Sequence, residues 1–201
     1  SSQYEKAEAT FFASNFPANT FHLRQAIVEP MEGTLTEPEI HSRLVQASGV
    51  IDEVDFGPLR EAAEQGLDAF AEAFMAAAME NPAISAYGAV ILYETLGKSL
   101  PKGKEGAAVL WFSCQMVAQK YPDQVRAAGY EGNGPQLGNA LFQAIIESDD
   151  GVIFTRHLYE DAFDFLTTPD QKINLLIPEM HEKLKLLGSA PVKYTSEEYP
   201  F

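Results

Sequence analysis

Two stretches in the middle of the chain constrain its fold more than any other feature. The first runs from Ile84 to Leu96 and includes Tyr87, Val90, Ile91, Leu92 and Tyr93; the second follows Gly103 and includes Val109, Leu110, Trp111, Phe112, Met116 and Val117. In each, apolar residues wrap nearly the whole circumference of the helix that the spacing predicts, and a helix apolar all round must be enclosed by others. These two are expected at the centre of a bundle. Amphipathic partners for them lie on either side. Gly57-Pro58 opens a helix with Leu59, Ala63, Leu67, Phe70, Phe74 and Ala77 at helical spacing, and with Glu61, Glu64, Asp68 and Glu72 facing water, until Asn81-Pro82 closes it. Upstream, Thr36 is expected to cap a helix carrying Ile40, Leu44 and Val45, with Glu39 completing a capping box and Gly49 ending it. Downstream, Pro135 opens a helix with Leu137, Leu141, Phe142, Ile145 and Ile146 inside, and Pro178 opens a last one with Met180, Leu184 and Leu187, stopped by Gly188.

The remainder is less regular. Residues 1 to 35 read as an extended arm, in which Phe11, Phe12, Phe16 and Phe21 are separated by Asn, Pro and Ser, with a short strand at Gln25 to Val28. Pro122 to Ala128 predicts one or two turns, and Gly129 to Gly134 a glycine-rich loop. Val152 to Thr155 is a β-like run with too little around it to define a sheet. A helix is expected from about Leu158 to Leu166 and an extended piece at Ile173 to Ile177. The fold class is therefore mainly α, a helical bundle of about five to seven helices with an extended N-terminal arm and a short β-like C-terminal tail.

A chain of 201 residues buries roughly 70% of its unfolded surface, so a core needs no covalent staples. With 29 acidic against 14 basic residues its formal charge is −15, which repels nucleic-acid phosphate and anionic membrane surfaces alike. One cysteine excludes an internal disulfide and any four-thiolate cluster within the chain. No run of about 18 apolar residues is present, and the first residues lack the pattern of a signal peptide. A cytoplasmic location is expected.

Few residues carry a chemical signature. The loop Gly129-Tyr130-Glu131-Gly132-Asn133-Gly134-Pro135 precedes a helix, where free amides can hold phosphate, but its glycines match neither nucleotide fingerprint and no lysine follows them. His22, His41, His157 and His181 are scattered, with no pair at the i, i+4 spacing of a helical metal site. Glu160, Asp161 and Asp164 lie near His157 in sequence, without a nucleophile or metal set to complete acid–base work. Cys114 falls in the most apolar stretch and reads as a small core hydrophobe. No catalytic residue and no metal ligand is assigned.

The N-terminal run Ser2-Gln3-Tyr4-Glu5-Lys6-Ala7-Glu8-Ala9-Thr10-Phe11-Phe12, followed by Phe21-His22-Leu23-Arg24, Val28-Glu29-Pro30 and Glu37-Pro38-Glu39-Ile40, resembles the middle of prokaryotic molybdopterin oxidoreductases of the formate dehydrogenase and dimethyl sulfoxide reductase superfamily. The likeness spans residues 1 to 49, resumes thinly over 150 to 201, where Tyr199-Pro200-Phe201 resembles the strand that opens the family's C-terminal domain, and is not visible between. It implies an internal segment of a longer enzyme: residues 1–50 an arm and first helix belonging to the parent's cofactor-binding core, 51–190 a helical insertion, and 191–201 a tail leading to a further C-terminal domain. The family's Glu-Gly-Thr-Phe-Thr-Asn pattern maps onto Glu8 to Ala13, with Ala9 in place of the glycine and Ala13 in place of the asparagine. By that resemblance Thr10 and Arg24 would touch the molybdenum bis(pterin guanine dinucleotide) cofactor or the domain that carries it. The family's molybdenum ligand and cluster cysteines lie upstream of the matched region.

The resemblance thus implies a parent that moves electrons between a small substrate and a carrier at molybdenum, with this segment inert alone and partnered by the remaining parent domains and a redox protein. A non-enzymatic acidic helical interaction module is the alternative, and a carrier for a hydrophobic ligand held between the two central helices a third.

Overall fold

In the computed structural model the described residues are 7–13, 16–29 and 31–187, and for 8–13 the backbone alone is described. The first six residues, the side chains of Phe11 and Phe12, the expected stop at Gly188 and the tail 191–201 lie outside them. Contacts divide the chain into two compact units, with the break after Tyr159.

The arm is not a free extended segment. Strand β1 (Glu8–Ala13) and strand β2 (Ala18–Arg24) form an antiparallel hairpin, and β3 (Val152–Arg156) pairs antiparallel with the other edge of β2, giving the order β1-β2-β3. Phe21 faces Val152 in register and Ala18 faces Arg156. The β-like run thus finds its sheet in a partner more than 120 residues away, a pairing to which local pattern is blind. Leu23 is the buried residue of β2 and joins the main core. The expected strand at Gln25 to Val28 has no regular structure.

Ten α-helices follow among the described residues, more than the five to seven expected, because two long predicted helices are broken. The stretch from Gly57 is cut at Gly66, whose φ of +119° and ψ of 172° belong to a region that only glycine occupies cheaply. It yields α2 (Gly57–Gln65) and α3 (Leu67–Glu80), preceded by α1 (Glu37–Ala47). The stretch from Pro82 becomes three short helices, α4 (Pro82–Ala86), α5 (Gly88–Glu94) and α6 (Leu96–Ser99). At the second break the Thr95 hydroxyl donates to the Ile91 carbonyl at 2.6 Å, the local competition with the helix ladder that makes threonine a poor interior residue. A 3-10 turn (Glu105–Ala108) leads into α7 (Val109–Lys120), then α8 (Pro122–Ala127) and α9 (Pro135–Glu147).

Thr36 has extended backbone at the start of α1 but makes no side-chain cap bond, and the Glu39 carboxylate accepts from Arg43 instead. The capping box is replaced by an i, i+4 ion pair.

The core is an aromatic knot with aliphatic walls. Phe70 and Phe74 of α3 meet Trp111 of α7 edge-on, at 5.2 and 5.3 Å between centroids, and Leu59, Ile91, Leu96, Leu141 and Phe142 close around them. Each such side chain contributes about 1.5–3 kcal/mol on burial. Helices α7 and α9 come close at Gly138, where an added Cβ would stand 2.5 Å from the Gln115 amide. Of the two stretches expected at the centre, α5 is largely enclosed through Ile91, Leu92 and Tyr93, but α7 is not: Trp111, Cys114 and Ala118 are buried while Val109, Phe112 and Met116 are exposed.

The second unit contains most of a 3-10 stretch (Tyr159–Phe165), where an α-helix was expected, an irregular 173–177, and α10 (Pro178–Leu187), which starts at Pro178 as predicted. No helix among the described residues is long and apolar enough to cross a membrane.

Candidate functional site: an apolar groove between α3 and α7

The exposed face of α7 does not stand alone. Met75 and Met79, four residues apart on α3, lie beside Phe112 and Met116, four apart on α7, and together with Phe74, Ala78 and Trp111 they line a groove of about 460 Å³. Ala71 and Ala78 keep its floor low, and Gln115, Gln119 and Ser85 supply its polar points. Phe112, Met116 and Met75 are each about half exposed and Met79 is 87% exposed. Four large apolar side chains at one place are more than the scattered exposure ordinary surfaces show.

Beneath one end of the groove runs a buried polar link. Asn139 of α9 accepts from Trp111 Nε1 at 2.8 Å and from Gln115 Nε2 at 2.8 Å, and donates from Nδ2 to Asp68 Oδ1 at 2.7 Å. Two lining residues are therefore held in place from behind. By helical spacing Asp68 and Glu72 continue the stripe of Met75 and Met79 toward the start of α3, and the lining contains no lysine or arginine.

Two further spaces exist among the described residues. One, of about 210 Å³, lies between α7, α9 and the sheet, lined by Phe21, Leu110, Cys114 and Phe154 among others; burial pushes the Cys114 thiol up to about 12, so it is a wall, not a nucleophile. The other, of about 490 Å³, is a polar cleft beginning at Ala26, where Glu29, Glu39 and Glu105 face Lys98 and Lys102.

The residues singled out by sequence fall as follows. Thr10 sits in β1 where the register with β2 shifts, between Ala9 and Phe11, and Arg24 ends β2 opposite Glu8; the hairpin brings the two onto neighbouring strands, and Arg24 Nη1 donates to the Gln25 carbonyl at 3.0 Å. His157 is packed in the first unit, its Nε2 3.2 Å from the Thr155 hydroxyl and its ring stacked on Phe16, whereas Glu160, Asp161 and Asp164 belong to the second. The glycine-rich loop is braced by Arg126, which donates to Gly132 O and Asn133 Oδ1. His22 Nε2 lies 3.1 Å from the Asp149 carbonyl, and His41 pairs with Glu37 on an exposed helix face. No group of three His, Cys, Asp or Glu among the described residues could hold a metal.

The cleft that begins at Ala26 does not suit the diphosphates of a pterin dinucleotide. These need cations and amides, but three carboxylates line the cleft, Lys102 is bound to Glu29 at 2.8 Å, and Lys98 rests on the Tyr93 ring at 4.0 Å. Arg24 is not among the residues that line that cleft.

Sequence reasoning missed the groove because it assigned Phe112 and Met116 to a core. The available signal was the methionine pair Met75 and Met79, which breaks the polar face of α3. No family model matches the chain, and no curated protein or solved structure matches it.

Proposed function

We propose that the chain is a segment of a molybdopterin-dependent oxidoreductase whose parent passes electrons between a small substrate and a carrier in the cytoplasm, and that the segment itself is catalytically inert. The observation that carries this reading is the run of resembling residues, Phe21-His22-Leu23-Arg24 and Glu37-Pro38-Glu39-Ile40 above all. It is supported by the way that run folds: the hairpin ends in β1, an edge strand with no further pairing among the described residues, and an unpaired edge is a site where sheet from elsewhere can add. Thr10 and Arg24 would then meet the neighbouring parent domains. Molybdenum and pterin content of the purified 201-residue protein tests the reading; well under one metal per chain is expected, and stoichiometric metal would overturn the inert segment. The flanking reading frame tests the parent, which should encode a molybdenum-ligand region upstream and a pterin-binding domain downstream.

A second reading, an acidic helical interaction module without enzymatic activity, is favoured by the α3–α7 groove with its four exposed apolar side chains. The absence of both flanking regions from the reading frame would leave this reading in place of the first.

A further inference from the structure

We infer that the groove between α3 and α7 is a docking site for a basic amphipathic helix of a partner protein. The inference deepens the interaction-module reading, on which it rests, by naming the chemistry of the partner. Met75, Met79, Phe112 and Met116 stand in two pairs at i, i+4 spacing on helices that flank a low floor of Ala71 and Ala78. That arrangement receives the side-chain ridge of a third helix, which presents apolar anchors at the same spacing. Methionine is suited to such a surface, since its unbranched thioether repacks around anchors of different shape.

Charge decides the occupant. The lining itself carries no charge of either sign, and the stripe that holds Met75 and Met79 continues beyond it into Asp68 and Glu72, both exposed. The whole chain carries −15, so the field around the groove favours a positive partner and speeds its encounter. A second copy of this chain would bring Asp68 and Glu72 against an equally acidic surface and is disfavoured by the same charge. The Asn139 link, which holds Trp111 and Gln115, preforms the α7 side of the groove, so docking would require little rearrangement of the backbone.

Trp111 is the single tryptophan of the chain and lines the groove, which makes its emission a direct readout. Three peptides of about 18 residues with the same leucine face and no aromatics, carrying lysine, glutamate or glutamine on the polar face, would be titrated against the intact chain. The lysine peptide is expected to shift Trp111 emission saturably, to bind at least about tenfold more tightly than the other two, and to weaken as salt rises. Met79→Lys, at a position too exposed to matter for folding, should weaken the lysine peptide by about tenfold or more, and Glu72→Lys should narrow the difference between lysine and glutamate peptides. Equal or tighter binding of the glutamate or glutamine peptide overturns the basic partner while leaving docking intact. Failure of all three peptides to move Trp111 overturns the docking reading itself. A dimer in sedimentation that Met79→Lys dissolves assigns the groove to a second copy and also overturns the proposal.

Discussion

The Asn139 side chain donates its Nδ2 hydrogen to Oδ1 of Asp68 across 2.7 Å, tying α9 to α3. Because the Asn139 oxygen simultaneously accepts from Trp111 and Gln115 of α7, one amide joins three helices. Its orientation is fixed by chemistry: an indole N–H only donates and an ionised carboxylate only accepts, so the amide can satisfy both in one way alone.

This linkage predicts an asymmetry between two substitutions. Asn139→Leu keeps the branching at Cγ but leaves the buried Trp111 N–H without an acceptor, and should cost about 1–3 kcal/mol, read as a lower urea midpoint at unchanged m-value. Asn139→Asp keeps the acceptor for Trp111 and loses the donor to Asp68, setting two carboxylates in contact. Repulsion raises the pKa of the introduced carboxyl in the folded state, so its penalty is full at neutral pH and relieved as pH falls toward about 4. Urea midpoints at pH 7 and pH 4.5 should therefore converge on those of the unaltered protein only at the acidic end.

Glu94 offers a separation of hydrogen bonding from charge. Its carboxylate accepts from the buried Ser42 hydroxyl at 2.6 Å and from Arg60 at 3.2 Å, with Lys98 at 3.7 Å. Arg60 and Lys98 are each a little under half exposed, 47% and 42%, so solvent reaches both cations and screens the ionic part to about 0–1 kcal/mol. Glu94→Gln, which retains an acceptor for Ser42, should stay within about 1 kcal/mol of the parent, whereas Glu94→Ala should lose about 1–3 kcal/mol. Thermal melts of the two variants check this; equal destabilisation would mean the charge dominates.

Cys114 should behave as a core residue. Burial pushes its thiol up to about 12, and burial likewise raises the Tyr130 phenol, with Cys114 adding to it. In the unfolded chain both ionise earlier, so the unfolded state sheds protons first and stability falls as pH rises above about 9, continuing toward 12 for Cys114. A thiol-exchange reagent at pH 8 should label less than a tenth of the native protein within the time that fully labels it in 6 M guanidinium, at about one thiol per chain. Rapid native labelling would place Cys114 outside the core.

How much of this was legible beforehand depends on whether a feature is local. The helix from Pro135 carries Leu137, Leu141, Phe142, Ile145 and Ile146 inward as its period predicts, and all five are buried. Phe70 and Phe74 likewise point where α3's spacing sends them. Periodicity cannot tell a face covered by core from a face held for a partner, which is why Phe112 and Met116 were assigned inside. The sheet was illegible for a different reason: Ala18 to Arg24 alternates weakly, with Asn19, Thr20 and His22 among its residues, and its pairing with 152–156 is a long-range contact. Polar residues that sit in the core, such as Asn139 and Ser42, were missed because burial of a polar group depends on partners that sequence spacing does not supply.

The break at Gly66 makes the sharpest test of backbone against propensity. Alanine has the higher helix propensity, and a sequence argument would place Gly66→Ala inside one continuous helix and expect a gain of about 1 kcal/mol. The structure predicts the opposite. An added Cβ at Gly66 meets no atom within 4 Å, so there is no steric clash to relieve, but φ of +119° with ψ of 172° costs a non-glycine residue about 1–3 kcal/mol. Straightening the chain to escape that cost would swing α3 away and pull Phe70 and Phe74 from Trp111. Gly88 is the control: it opens α5 with an ordinary helical sign of φ and equally open space around its Cβ position, so Gly88→Ala should stabilise by about 0.5–1 kcal/mol. Urea midpoints that move in opposite directions for the two variants fit the broken helix. Stabilisation by both would mean that α2 and α3 are continuous in solution.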